Sequence, residues 1–418
     1  MDRIILHCDC NSYFASVETI LRPELAQVPM AVAGDPENRH GIILAKNEKA
    51  KAFHVQTAEP IWQAKRKCPD LVCVPPHHGL YTEYSKKINQ IYLRYTDLVD
   101  PFSVDESFLD VTHSIHLFDC TPKELADRIR AQVREEIGLT ISVGVSFCRV
   151  LAKLGSDMKK PDATTVISRE NFKDVVWPRP VSELLFVGRQ SETALSKLNI
   201  RTIGDLARSD RMLLGKTFGK QGDTLWRYAN GLDNEPVQPY DAHREIKSVG
   251  NSMTFRRDLK GEAEIRAGIA ALSDSVATRL RAAGLKCTVV QVGIKSPEFK
   301  YITRQVTLDH STYLQRELTE VAMGLVKQHW NLRSPVRLLS VTGTNLVPAD
   351  APMEQTSLFA SDNASYEKQE KVEDAMAKIR SKFGKDAISF GYQANTELGI
   401  KKGKVGWNAS GGEEPKKP

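Results

Sequence analysis

In the stretch PFSVDESFLDVT at 101–112, Asp105 and Glu106 stand side by side in a run that otherwise alternates like a half-buried strand. In a straight strand neighbouring side chains point to opposite faces. Glu106 would then share a face with Val104 and Phe108, and Asp105 with Ser103 and Ser107. One acid would sit among apolar groups, where an unpaired carboxylate is strongly disfavoured. A metal ion, a buried base or a sharp bend that frees both groups removes the conflict. A third acid, Asp9, closes the apolar run RIILHC at 3–8. Three carboxylates brought together without a fixed cation repel one another. Divalent cations resolve that repulsion, and oxygen ligands select Mg²⁺ or Mn²⁺ over softer metals. Two such ions roughly 3.5–4 Å apart can clamp the attacking and leaving oxygens of a phosphoryl transfer. For Asp105 and Glu106 alone, an acidic turn facing water is the structural alternative.

The elements that would position these acids can be read along the chain. RIILHC reads as a buried strand ending at Asp9, and Asn11 or Ser12 can cap a helix carrying Phe14, Val17 and Leu21 up to Pro23. Residues 24–75 read as a small insertion, with the strand-like HGIILA followed by the helical KNEKAKAFHV and IWQAKRKC. A helix over 81–95 leads into the acidic stretch, and a helix over 121–137 leads out of it. LTISVGVSF then alternates as a strand, and VLAKLGSDMKKP is helical up to Pro161. Strand, helix, two strands, helix, strand is the split βαβ layout, which puts Asp105 and Glu106 in a hairpin bend beside Asp9. The expectation is that all three acids converge on one open cleft.

The rest of the chain reads as further domains, as 418 residues require more than one core. Residues 168–235 read as all-helical, with two short helices meeting near Asn199; 236–245 is a proline-containing linker. Residues 246–343 alternate strands with helices at 261–283 and 311–329, a small α+β domain. A last helix at 365–383 carries Val372, Met376, Ile379 and Phe383 on one face, and the Gly/Lys-rich tail from 402 reads as disordered. The fold class is α+β, multidomain.

Bulk properties narrow the function. No apolar run approaches the roughly 18 residues of a membrane span, and MDRIILHCDC is too polar for a signal peptide, so the expectation is a cytoplasmic protein. Seven scattered cysteines fit reduced thiols, and Cys8 and Cys10 beside His7 have no finger-like partners. Residues 241–340 hold 16 Lys and Arg against 10 Asp and Glu, an excess equal to the chain's whole net charge of +6. A basic domain on a neutral body is the footprint of a polyanion partner, with a solvated charged face as the alternative.

HCDCNSYFASVE, SVDESFLDVT and VGVSFCRVLAKLGSDMKKP resemble the three palm signatures of the Y-family translesion DNA polymerases, and KSVGNSMTFRRDL resembles the start of their little-finger domain. The bacterial polymerase IV branch stands nearest. The alternatives are a polymerase V-type catalytic subunit and, more remotely, a palm-fold nucleotide cyclase, which would not need the basic domain. The resemblance implies a right-hand polymerase with a ferredoxin-like βαββαβ palm (1–23 and 76–167), fingers (24–75), a helical thumb (168–235), a linker (236–245) and an α+β little finger (246–345). It implies template-directed, low-fidelity synthesis on damaged DNA by a monomer, from deoxynucleoside triphosphates on primer–template DNA, with two Mg²⁺ ions or Mn²⁺ in their place. No stretch is long enough for an exonuclease domain, so proofreading is not expected.

Position by position, Asp9, Asp105 and Glu106 match the catalytic metal ligands, completed by the Cys10 backbone carbonyl. Tyr13, Lys51 and Lys160 match nucleotide-binding positions, and Phe14 matches the steric gate beneath the sugar. Without the resemblance, Phe14 reads as a core aromatic and Lys160 as a solvated helix-end lysine. Gly188 in the thumb and Ser248, Asn251, Arg256 and Arg304 in the little finger match DNA contacts. QTSLF at 355–359, in the segment 346–418, resembles the peptide that binds the bacterial sliding clamp (the beta subunit), with Gln355 fixing register and Leu358 and Phe359 entering a pocket. Three positions depart from the family. Asn11 stands where many members have Asp, and Glu48 and Lys51 replace a Tyr and an Arg that grip the triphosphate. Lysine lacks the bidentate fork of arginine, and Glu48 is expected to turn away from the phosphates.

Overall fold

The computed structural model describes residues 2–35, 41–351, 363–384 and 387–388. The chain divides into two compact units, one reaching to His243 and the other beginning at Arg244.

The first unit opens with β1 (Ile5–Cys10), buried throughout, and α1 (Tyr13–Leu21). A small three-stranded sheet follows, of β2 (Met30–Ala33), β3 (Ile43–Lys46) and, after α2 (Glu48–Ala52) and α3 (Ile61–Lys67), β4 (Val72–Val74). Two of these strands, β2 and β4, are absent from the sequence reading. The chain returns through α4 (His78–Tyr92) to β5 (Val99–Pro101) and β6 (Glu106–Asp110), then α5 (Pro122–Ile137), β7 (Ile141–Ser146), α6 (Arg149–Met158) and β8 (Thr164–Ile167). The large sheet has the order β5-β6-β1-β7-β8. Its first four strands are the expected βαββαβ set, and β8 adds a fifth, parallel to β7. This is the α+β fold read from the sequence.

Local chemistry explains several element ends. Thr121 and Glu124 form a reciprocal capping box on α5, Pro122 occupies its first turn, and Gly138 at φ 79° ends it. Leu125, Ile129 and Val133 then lie on one buried face. The cap expected on α1 is not made: Ser12 sits at φ 50° with no capping bond, because Asn11 is committed elsewhere and the Ser12 hydroxyl turns to Glu48. Strand β7 and helix α6 pack backbone to backbone. A Cβ on Gly144 would lie 1.9 Å from the Ala152 carbonyl oxygen, so only glycine lets the helix backbone rest on the strand.

Beyond β8 the unit is helical, with α7 (Phe172–Val176), α8 (Arg189–Lys197), α9 (Ile203–Arg208), α10 (Arg211–Phe218) and α11 (Lys220–Ala229). Leu195, Ile203, Leu206 and Leu225 share a core with Leu151 and Leu154 of α6, so packing is continuous across residue 168. The linker is anchored at its start: Val237 is buried against Ile5 and Phe108, and Arg149 donates to the Pro236 carbonyl at 2.7 Å.

The second unit is a four-stranded antiparallel sheet of β9 (Ser248–Leu259), β10 (Leu285–Lys295), β11 (Tyr301–Thr312) and β12 (Val336–Pro348), in the order β11-β10-β12-β9. Helices α12 (Gly261–Ala282) and α13 (Gln315–His329) bury Ile269, Leu272, Val276, Leu318 and Ala322 against Val292, Ile294, Leu339 and Val341. The last helix, α14 (Asn363–Phe383), docks on this unit differently from the sequence reading. Met376 is buried, but Val372, Ile379 and Phe383 are exposed. The docked face is held by polar pairs: Arg281 with Glu373 at 3.0 Å, Arg380 with Asp274 at 2.9 Å, and the Gln315 amide donating to Glu373 at 2.9 Å.

Candidate active site

Asp9 and Glu106 face each other directly across the β1–β6 pair, and the Cys10 amide donates to the Asp105 carbonyl at 3.0 Å. Asp105 ends the bend between β5 and β6, and Glu106 begins the strand, so the pair lies at the hairpin turn as the sequence implied. The three side chains are not equivalent. Lys153 of α6 joins Asp9 and Glu106, its Nζ 3.2 Å from Asp9 Oδ2 and 2.9 Å from Glu106 Oε1. Asp105 instead accepts a 2.6 Å hydrogen bond from the Ser103 hydroxyl. Lys160 reaches Asp9 at 2.8 Å, and both lysines also meet Asp157, at 3.0 and 2.9 Å. The sequence reading assumed no fixed cation near these acids; two are present.

Burial pushes the Asp9 carboxyl up, and Lys153 and Lys160 only partly offset this. Burial likewise raises Asp105, helped by the charges of Asp9 and Glu106. Burial opposes ionisation of Glu106 too, yet His7 and Lys153 hold its carboxyl well below the usual range. His7 is buried, with Nδ1 2.8 Å from Ser156 Oγ and Nε2 3.7 Å from Glu106 Oε2; Nε2 has no hydrogen-bond partner, and burial lowers its basicity.

Among the described residues no three His, Cys, Asp or Glu side chains form a ready metal cage. The donor set nevertheless suits a hard divalent cation: carboxylate oxygens gathered at a hairpin turn, with ammonium groups on two of them. The same oxygens would accept the ion once the lysines give way.

Around this centre, Phe14 is half-buried and stacked on Tyr81, ring centroids 4.1 Å apart and planes at 13°. Tyr13 is buried and donates its hydroxyl to the Tyr81 carbonyl at 2.6 Å. Tyr81 in turn donates to the fully buried Glu18, which also meets His77 Nδ1 and Arg22, each at 2.7 Å. The departures from the family pattern have local explanations. Asn11 donates to Ser142 Oγ at 3.0 Å and accepts from the Asp162 amide at 2.9 Å, so a neutral amide bridges the two at a buried position. Glu48 accepts from Ser12 at 3.2 Å and pairs with Lys51 at 2.5 Å.

Gly188 is the N-cap residue of α8. In the second unit Asn251 and Arg304 occupy one cross-strand row with the buried Val292 and Val341, at opposite sheet edges. Ser248 and Arg256 are exposed on β9. The adjacent row, Gln305, Gln291, Thr342 and Gly250, faces the side away from the helices and was not singled out from sequence. Its signal was the alternation of TVVQVGIK. Lys153 and Asp157 were also missed, since a helical lysine with an acid four residues on reads as a surface pair. Gln355, Leu358 and Phe359 lie outside the described residues.

Comparison with known proteins places these features. The profile of the impB/mucB/samB family matches residues 8–157, and that of the same family's C-terminal domain matches residues 246–358. The DNA polymerase IV of Acetivibrio thermocellus is 46% identical over 384 residues, covering 92% of this chain and 96% of that one. DNA polymerase IV 1 of Bacillus subtilis is 36% identical over 401 residues, covering 96% and 95%. A solved Y-family DNA polymerase chimera, Dbh-Dpo4(243-245)-Dbh, shares the fold with a TM-score of 0.73 at 22% identity, over 82% of this chain and 99% of that one. By sequence along nearly its whole length, and by the fold that carries its acids, the chain belongs to the DNA polymerase IV family of the Y-family DNA polymerases.

Proposed function

We propose that this protein extends a DNA primer on a template, including damaged templates, with low fidelity, by attack of the primer 3′-hydroxyl on the α-phosphate of a deoxynucleoside triphosphate and release of pyrophosphate. The observation that carries the reading is the pairing of Asp9 with Glu106 across adjacent strands, with Asp105 at the neighbouring turn. In this reading the five-stranded layer is the palm, residues 24–75 the fingers, 168–235 the thumb and the second unit the little finger. Asp9, Asp105, Glu106 and the Cys10 carbonyl would hold two Mg²⁺ ions, which when bound lower the charge barrier between hydroxyl and triphosphate. The chain's own residues position the reactants. Lys160 and Lys51 would neutralise phosphate oxygens, with Glu48 holding the Lys51 ammonium. Phe14 excludes a ribose 2′-hydroxyl by its bulk. The polar face of the second unit, with Ser248 and Arg256, suits sequence-independent contact with a DNA backbone. QTSLF supports recruitment by a sliding clamp. Primer extension tests the reading: the parent with Mg²⁺ and deoxynucleotides should lengthen a primed template, and Asp105→Ala should not. Equal extension by both would remove the assignment.

A further inference from the structure

Asp9, Lys153, Asp157 and Lys160 form a closed ring of alternating charge, with N···O separations of 3.2, 3.0, 2.9 and 2.8 Å around it. Three members have explanations in the reaction or in its electrostatics. Asp157 does not: it sits on the last turn of α6, its side chain half-exposed, and touches both lysines while remaining outside the set of acids that would hold metal. Lys153 and Lys160 differ in freedom. Lys153 is mid-helix with a side chain 14% exposed, whereas Lys160 lies beyond the helix end and is 33% exposed.

Resting on the reading above, we propose that Asp157 is a positioning residue that receives the lysine ammonium groups when Asp9 and Glu106 take up divalent cations. A cation binding both Asp9 and Glu106 competes with the Lys153 ammonium, which lies between them and holds one oxygen of each, and two positive centres so close repel one another. An ammonium released into a partly buried pocket without an acceptor would be strongly disfavoured. Asp157 Oδ2 already lies 3.0 Å from Lys153 Nζ, so the exchange needs a small shift and leaves the charge paired. The same carboxylate can hold Lys160 once it leaves Asp9, keeping it ready for phosphate. The ring therefore keeps like charges apart without metal and lowers the barrier to loading it.

The test is Mn²⁺ binding to the full-length protein without nucleotide or DNA, with free Mn²⁺ followed by electron paramagnetic resonance and folding checked by circular dichroism. Lys153→Met should bind Mn²⁺ at least about tenfold more tightly than the parent, since a resident positive charge is gone. Asp157→Asn should bind it several-fold more weakly, and this loss should largely vanish in the Lys153→Met, Lys160→Met background. An equal loss in both backgrounds overturns the proposal, because Asp157 would then act by its field alone; so does unchanged affinity in Asp157→Asn. If Lys153→Met does not fold, Lys153→Gln takes its place. Parent protein that binds no Mn²⁺, or binds it equally after Asp9→Asn, overturns both this proposal and the metal site beneath it. Binding lost in Asp9→Asn but unaltered in Asp157→Asn overturns this proposal alone.

Discussion

The ring of Phe14 lies almost flat on that of Tyr81, and the Tyr81 hydroxyl is fixed by a buried carboxylate, Glu18. The aromatic plane proposed to meet the sugar is therefore braced by α4, an element that carries no catalytic residue. Phe14→Ala should raise ribonucleotide incorporation relative to deoxynucleotide by at least about tenfold in kcat/KM, or about 1.4 kcal/mol of discrimination. Single-nucleotide insertion assays with matched sugars read this directly, and an unaltered ratio would remove Phe14 from the gate.

Glu18 also gives the protein an acid-sensitive joint. Burial alone would raise its carboxyl, but hydrogen bonds from Tyr81, His77 and Arg22 hold it below its ordinary 4.5. A folded value below the unfolded one means stability that is complete above about pH 4.5 and lost as pH falls through the lower folded value. Thermal melts should show the parent losing Tm more steeply than Glu18→Gln between about pH 5 and about pH 3, with the parent the more stable at neutral pH. Parallel Tm–pH curves would contradict the assignment.

Asn11→Asp would restore the acid many family members carry, yet here it should destabilise. The new carboxylate can still accept from the Asp162 amide, and the Ser142 hydroxyl can turn to donate to it, but a full charge enters a buried position. A loss of at least about 1 kcal/mol is expected, the lower end of the desolvation cost for a buried polar group and more for a charged one. Urea unfolding with an unchanged m-value measures it, and Asn11→Asp as stable as the parent would show that a charge is tolerated at this position.

Deleting residues 355–359 should lower synthesis in the presence of a loaded sliding clamp while sparing distributive extension of a short primer. Loss of both in equal measure would point to damaged folding and withdraw the peptide's assignment.

Much of this was legible in the residues themselves. The split βαβ order followed from periodicity, and the bend at Asp105 followed from the cost of burying an acid in a strand. What escaped had physical causes. β2 and β4 are strands of four and three residues, too short for period-two alternation to show. Lys153 gave no signal because its partners Asp9 and Glu106 lie 144 and 47 residues away in sequence. The stripe of Val372, Ile379 and Phe383 suggested an apolar seam on α14. Docking instead uses the neighbouring face, where Arg281 and Arg380 of the pairs with Glu373 and Asp274 set the helix's rotation.

The bare contact between Gly144 and α6 sets a limit on engineering. Replacing glycine with alanine is a common way to harden a protein, because it restricts the unfolded chain. At this seam the substitution would lift α6 from the sheet, taking Lys153, Ser156 and Asp157 with it as one rigid block. A variant library aimed at heat tolerance should hold Gly144 constant and seek its gains elsewhere, since a small misalignment here would shift Lys153 and Asp157 against Asp9 and Glu106 before the fold itself failed.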